Sequence, residues 1–126
     1  MNIMHMAGLL FRAAAFAAAI LAATAGAASA DNFGAIAFSQ GTGGFGFSYD
    51  HGSRRDAENR AMAECRARTR GCKVAIWFKN ACGSVARGPN GWGSAWAGSR
   101  RQAEQAALRN CSQHSRGCRT LAWSCS

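Results

Sequence analysis

One stretch of the chain is written twice. Ser53-Arg54-Arg55-Asp56-Ala57-Glu58 returns as Ser99-Arg100-Arg101-Gln102-Ala103-Glu104, and a register of 46 residues (111 − 65, 118 − 72, 123 − 77) then holds through Cys65 and Cys111, Cys72 and Cys118, Trp77 and Trp123. A fold compatible with this chain must place two like units side by side. Cysteines that recur in phase with such a unit belong to its framework, not to a lone reactive thiol. The duplication constrains architecture and leaves chemistry open.

The repeats do not begin at the N-terminus. Arg12 and the terminal amine flank an Ala-rich apolar run, Ala13 to Ala25, and Ala28-Ser29-Ala30 fits the small-residue pattern of a signal-peptide cleavage site. Residues 1–30 are therefore expected to be a cleaved signal peptide, with Asp31 opening the mature chain. The residue after the site is not Cys, so no lipid anchor is expected there. Residues 31–126 then form one small domain made of two repeats, 33–82 and 83–126. No stretch of it is apolar for the roughly 20 residues a membrane helix needs, and the expected compartment is periplasmic or secreted.

A domain this small gains from covalent staples. All six cysteines (Cys65, Cys72, Cys82, Cys111, Cys118 and Cys125) lie in the mature part. An even count in an exported chain reads as three disulfides. Zinc sites favour close pairs such as C-x-x-C, whereas Cys65/Cys72 and Cys111/Cys118 are six residues further apart than neighbours, so no metal is expected. Spacing alone leaves fifteen connectivities open. A pairing that respects the duplication joins Cys65–Cys72, Cys111–Cys118 and Cys82–Cys125. The first two would tie each helix end to the next strand, and the third would staple one repeat to the other.

Each repeat reads strand, turn, strand, helix, strand. Phe33 to Ser39 is a short apolar run, Gly41-Thr42-Gly43-Gly44 a turn, and Phe45, Phe47 and Tyr49 alternate with small residues on one strand face. Ser53 is a helix cap with Asp56 in the capping-box position. Ala57, Ala61 and Cys65 follow as a narrow stripe of small residues, Gly71 stops the helix, and Val74 to Phe78 forms a strand. The second repeat substitutes Ser84-Val85-Ala86, the turn Gly88-Pro89-Asn90-Gly91, Trp92 and Trp96 for Phe45 and Tyr49, the cap Ser99/Gln102, the stripe Ala103, Ala107 and Cys111, and the strand Thr120 to Trp123. The expected fold is α+β: two β-β-α-β repeats related by a pseudo-twofold, forming one largely antiparallel sheet with two helices against it.

Gly34-Ala35-Ile36-Ala37, the Ser-x-x-x-Ala-Glu helix opening, the Ala-x-x-x-Cys stripe, the Cys-x-Val-Ala strand and the repeated Trp-Gly and Cys elements together resemble the bacterial "domain of unknown function 4189" family. The resemblance spans essentially the whole mature chain. It implies a small exported domain with disulfides, and it brings no agreed catalytic residues to carry over.

Several motifs invite chemistry and yield to simpler readings. Gly41-Thr42-Gly43-Gly44-Phe45-Gly46 satisfies G-x-G-x-x-G, but a dinucleotide site needs that motif between a strand and a helix. Here it falls between two strands and reads as a hairpin turn, so no nucleotide or other cofactor is expected. His51 and His114 read as loop histidines. Glu58 and Glu104 occupy matching helix positions and would do acid–base work only if they faced one cleft. Each follows an arginine by one turn, Arg54 or Arg100, and pairing is the expected role.

The charge balance is more informative. The chain carries 15 Lys and Arg against 6 Asp and Glu, net +9. Excess arginine attracts anions and suits bidentate contact with carboxylate or phosphate. The expected function is a non-enzymatic, exported interaction module that binds an acidic protein or an anionic envelope polymer, as in an inhibitor or immunity-type protein. Arg54, Arg55, Arg100, Arg101, Trp92 and Trp96 are its candidate binding residues. A small hydrolase using Glu58/Glu104 or His51, and a nucleic-acid binder, are the alternatives.

Overall fold

The computed structural model describes residues 31–126, and the expected signal peptide, 1–30, lies outside the described residues. The element order is β1 (Phe33–Phe38), β2 (Phe45–His51), α1 (Arg54–Arg68), β3 (Lys73–Lys79), β4 (Cys82–Gly88), β5 (Gly91–Ala97), α2 (Arg100–Ser112) and β6 (Arg119–Cys125). The fold is α+β, with two helices and three disulfides.

The strands do not form one sheet. They form two antiparallel three-stranded sheets, ordered β2-β1-β3 and β5-β4-β6. The reason lies in the two central strands, which are apolar on both faces. In β1, Ile36 and Phe38 point into a core shared with Phe78, Ala81, Val85 and Ala122. The alternate residues, Ala35 and Ala37, point the other way, onto Ala57, Ala61 and Cys65 of α1. In β4, Val85 faces the shared core while Ala86 faces Ala107 and Cys111 of α2. A strand with two apolar faces needs cover on both. A single six-stranded sheet with both helices on one side would leave Ile36, Phe38 and Val85 in water. Stacking two sheets, each with a helix on its outer face, covers every apolar side.

In this stack β1 lies against β4, β2 against β6, and β3 against β5. The break between the sheets comes at a tight turn where Asn80 takes a positive φ of 49°. Cys82 thus opens β4 and belongs to the second sheet. The Cys82–Cys125 disulfide consequently joins neighbouring strands β4 and β6 within one sheet; it does not staple sheet to sheet. Cys65–Cys72 and Cys111–Cys118 tie the end of each helix to the strand that follows.

Each helix begins at a serine cap. Ser53 Oγ accepts from the Asp56 N–H at 3.1 Å, and Ser99 Oγ from the Gln102 N–H at 3.3 Å. Each helix then sits very close to its sheet, because glycine faces its small-residue stripe. A Cβ on Gly46 would lie 2.5 Å from the Ala61 carbonyl oxygen, and one on Gly93 2.7 Å from that of Ala107. Between the sheets the Phe78 ring is wedged against two further glycines. A Cβ on Gly34 or on Gly83 would come within 2.5 Å of that ring. Phe78 pairs with Gly34 across β3 and β1, whereas the residue paired with Gly83 across β6 and β4 is Ser124. Ser124 Oγ instead donates to the Ser48 carbonyl at 3.1 Å, tying β6 to β2.

Gly41 to Gly44 form the β1–β2 turn, closed by a Gly43 N–H to Ser39 carbonyl bond of 2.9 Å. Next to it, Arg87 donates through Nε and Nη2 to the Gln40 carbonyl at 2.9 and 2.8 Å, sealing that end of the stack.

Candidate functional site

Two stacked sheets with open edges leave two clefts. One lies between β2 and β6, with Phe45, Phe47, Tyr49, Leu121 and Trp123 among its lining, and has a volume of about 420 Å³. The other lies between β3 and β5, with Phe33, Ile76, Trp77, Lys79 and Trp96 in its lining, and measures about 640 Å³. Both fall in the range of small-ligand clefts, about 300–1,000 Å³. Each exposes large rings. Tyr49 is 56% exposed and Trp123 39%, while Trp96 is 64% exposed and Trp77 38%. Rings that open to this degree are not core residues.

One tryptophan of each cleft carries a like arrangement of charge. At the start of α1, Arg54 Nε donates to Glu58 Oε1 at 2.6 Å, and the guanidinium lies over Trp77, 4.5 Å from the ring centroid. At the start of α2, Arg100 Nε donates to Glu104 Oε1 at 2.6 Å and lies 3.9 Å over Trp123. The i,i+4 spacing brings arginine and glutamate together on the helix. The cation–π stack then connects the helix start to the strand that follows it.

The sequence-derived candidates separate on this geometry. Arg54 and Arg100 are engaged with glutamate and tryptophan, so their guanidinium edges are partly committed inside the chain. Arg55 and Arg101 are exposed and form no ion pair among the described residues. Trp96 is an open ring at a cleft. Trp92 is half-buried: it packs on Phe38 with ring centroids 5.0 Å apart, under Lys73 at 4.5 Å, against the edge of the core, and lines the depression beside α2 instead. The sealed end of the stack draws Trp92 inward, and the open edges leave Trp96 outside.

Glu58 and Glu104 lie on helices that cover opposite outer faces of the stack, so the fold does not bring them to one cleft. His51 lines a depression with Arg60, Glu64 and Arg68, in which Glu64 is already paired to Arg60 at 2.9 Å. His114 lines a separate depression beside α2 with Gln40 and Asn110. Among the described residues no group of His, Cys, Asp or Glu is arranged to hold a metal ion, and no helix is long and apolar enough to cross a membrane.

Tyr49, Trp77 and Trp123 are the cleft residues that the sequence reading passed over as binding candidates. The signal was present: Trp77 and Trp123 share the 46-residue register with Arg54 and Arg100. Equal spacing between the arginine and the tryptophan of each pair is the trace that such a cross-element stack leaves in the sequence.

Fold and surface together define a class: small two-sheet α+β domains, closed by three disulfides, with arginine–tryptophan stacks beside open sheet edges. The chain belongs to the family described as domain of unknown function DUF4189, whose model matches residues 33–125. No curated protein matches the chain in sequence. Among solved structures it is similar to the NMR structure of Rv1813c from Mycobacterium tuberculosis, at 26% identity and a TM-score of 0.55, over 75% of each chain.

Proposed function

We propose that the mature domain is an exported, non-enzymatic interaction module that binds an acidic protein or an anionic envelope polymer through its arginine-rich surface. The observation that carries this reading is the excess of uncompensated positive charge on a rigid frame. Of the 6 acidic residues in the chain, Glu58, Glu64, Glu104 and Asp31 are each paired to a basic side chain. Arg55, Arg66, Arg70, Arg101, Arg109, Arg116 and Arg119 are exposed and without an acidic partner among the described residues. A disulfide-closed frame that need not reorganise loses little conformational entropy on binding. In this reading the two halves are copies related by a pseudo-twofold, supported by their common strand order, caps, helix disulfides and arginine–tryptophan stacks. Residues 1–30 act as the export signal, and three disulfides are compatible with an oxidising compartment.

Retention of the oxidised domain on immobilised polyglutamate across a salt series tests the reading. The apparent affinity should fall linearly with the logarithm of salt concentration, as polyelectrolyte binding does. The charge reversals Arg55→Glu and Arg101→Glu together should weaken it. Unchanged retention in that variant would defeat the proposal.

A further inference from the structure

The basic residues are not spread evenly. Strands β1 and β4 end where β2, β3, β5 and β6 begin, and both helices end beside them, so one end of the stack collects all of these termini. Eight basic residues lie there. Arg66 and Arg68 are in the last turn of α1 and Arg109 in that of α2, with Arg70 and Arg116 in the loops that follow. Lys73 and Arg119 open β3 and β6, and Arg87 lies near the end of β4. Contacts knit this end together. Arg68 Nη1 donates to the Phe45 carbonyl at 3.0 Å, the Lys73 ammonium lies 4.5 Å over the Trp92 ring, and Arg87 reaches the Gln40 carbonyl. No acidic residue lies there, and Glu64, one turn before Arg68, is paired to Arg60. The other six basic residues of the described chain share the rest of the molecule with all six acidic ones. The excess charge is thus a property of one end.

Helix dipoles explain part of this. Cations favour a helix C-terminus, which accounts for Arg66, Arg68 and Arg109. It does not account for the strand residues. Arg87 and Arg119 stand directly opposite each other on β4 and β6, and like charges so placed cost stability. Both line a hollow of about 390 Å³ with Gly117 and Thr120, and neither has an acidic partner among the described residues. Arg87 donates through Nε and Nη2 to a backbone carbonyl, which leaves its charge uncompensated. An anion supplied from outside the chain would relieve the pair.

The eight cations lie around the end of a two-layer stack, from α1 across both sheets to α2, instead of along one groove. A flat partner meets such an end whole. Protein partners are anchored by buried rings, and the exposed large rings lie elsewhere: Tyr49, Trp77, Trp96 and Trp123 are in the later halves of strands that lead away from this end. Seven of the eight cations are arginine, whose fork matches phosphate. We propose that this basic end docks on an anionic phospholipid bilayer, with guanidinium groups on headgroup phosphates and the hollow between Arg87 and Arg119 taking one of them. The strands then stand upright on the membrane, and the aromatic clefts are held away from it. This goes beyond the reading above, which concerns an acidic protein or polymer.

The test is co-sedimentation of the oxidised domain, at about 0.15 M salt, with vesicles of phosphatidylcholine alone and of phosphatidylcholine mixed equally with phosphatidylglycerol. Two variants carry the same change in net charge. One is Arg70→Glu with Arg116→Glu at the basic end, the other Arg55→Glu with Arg101→Glu at the starts of the helices. All four positions are exposed, and near-UV spectra confirm that both variants fold. The wild-type domain should bind only the anionic vesicles. The first variant should bind them at least about thirtyfold more weakly, the loss expected from two basic side chains at an anionic surface. The second should stay within about threefold, because the length of either helix, about 20 Å, exceeds twice the Debye length of about 8 Å. Equal losses in the two variants overturn the inference, since charge would then count wherever it lies. Equal binding of the neutral vesicles overturns it too. Retention on polyglutamate without binding to the anionic vesicles also overturns it and leaves the reading above intact. Binding to neither removes both.

Discussion

At the scale of single residues, glycine decides how near the layers come. Gly93 lies against the backbone of α2, and a Cβ there would meet the Ala107 carbonyl at 2.7 Å. Backbone atoms held in a helix and anchored by the Cys111–Cys118 bond cannot move aside cheaply. Gly93→Ala should therefore cost about 2–3 kcal/mol of stability, the range for overpacking a filled site. Gly41→Ala, where nothing lies within 4 Å of the added carbon, should stay within about 0.5 kcal/mol. Urea midpoints of the two variants check this directly. The Phe78 ring makes a second case, because it alone obstructs a Cβ at Gly83 from 2.3 to 3.2 Å. The loss from Gly83→Ala should shrink when Phe78→Ala is already present, so the double-mutant cycle should be strongly non-additive.

At the scale of elements, disulfides and caps hold each unit in register. In the chain-entropy model, opening the short Cys111–Cys118 loop costs about 2.5 kcal/mol and the long Cys82–Cys125 loop about 4. The serine double variant of the second pair should show the lower melting temperature of the two. Much of this level was legible in the sequence. The serine caps, the small-residue stripes and the stop near Gly71 are local signals, and local signals do not depend on what the chain packs against. Sheet membership does. The runs Ala35 to Phe38 and Val85-Ala86 are apolar without alternation, which marks a strand covered on both faces. Nothing in them says whether the second cover is a helix or another sheet. The place of Trp92 was hidden for the same reason. Trp92 and Trp96 share a strand face, and only the sealed end near Gln40 and Arg87 separates their fates. The Glu58 and Glu104 pairings were legible because i,i+4 partners meet on any helix.

At the scale of the whole molecule, charge works against the frame that carries it. Self-repulsion of a strongly basic domain opposes compaction, and only four ion pairs offset it among the described residues. Those pairs are exposed and contribute little. Added salt should thus raise the melting temperature between about 0.01 and about 0.15 M, as the Debye length shrinks from about 30 to about 8 Å. A fall would mean that the ion pairs outweigh the repulsion. The same salt range should loosen any bound polyanion, so stability and binding should respond in opposite directions.

The single ring between Gly34 and Gly83 has a consequence for how such a molecule can be assembled. Phe78 and Ser124 hold corresponding places opposite those glycines, and the space there accepts one aromatic ring. Two N-terminal halves brought together in this geometry would each bring a phenylalanine to the same spot, and two C-terminal halves would leave it empty. The halves are thus complements, like a plug and its socket. Separate fragments should reconstitute the domain as a mixed pair and fail as self-pairs, so this fold needs one of each half and cannot be built from two of either.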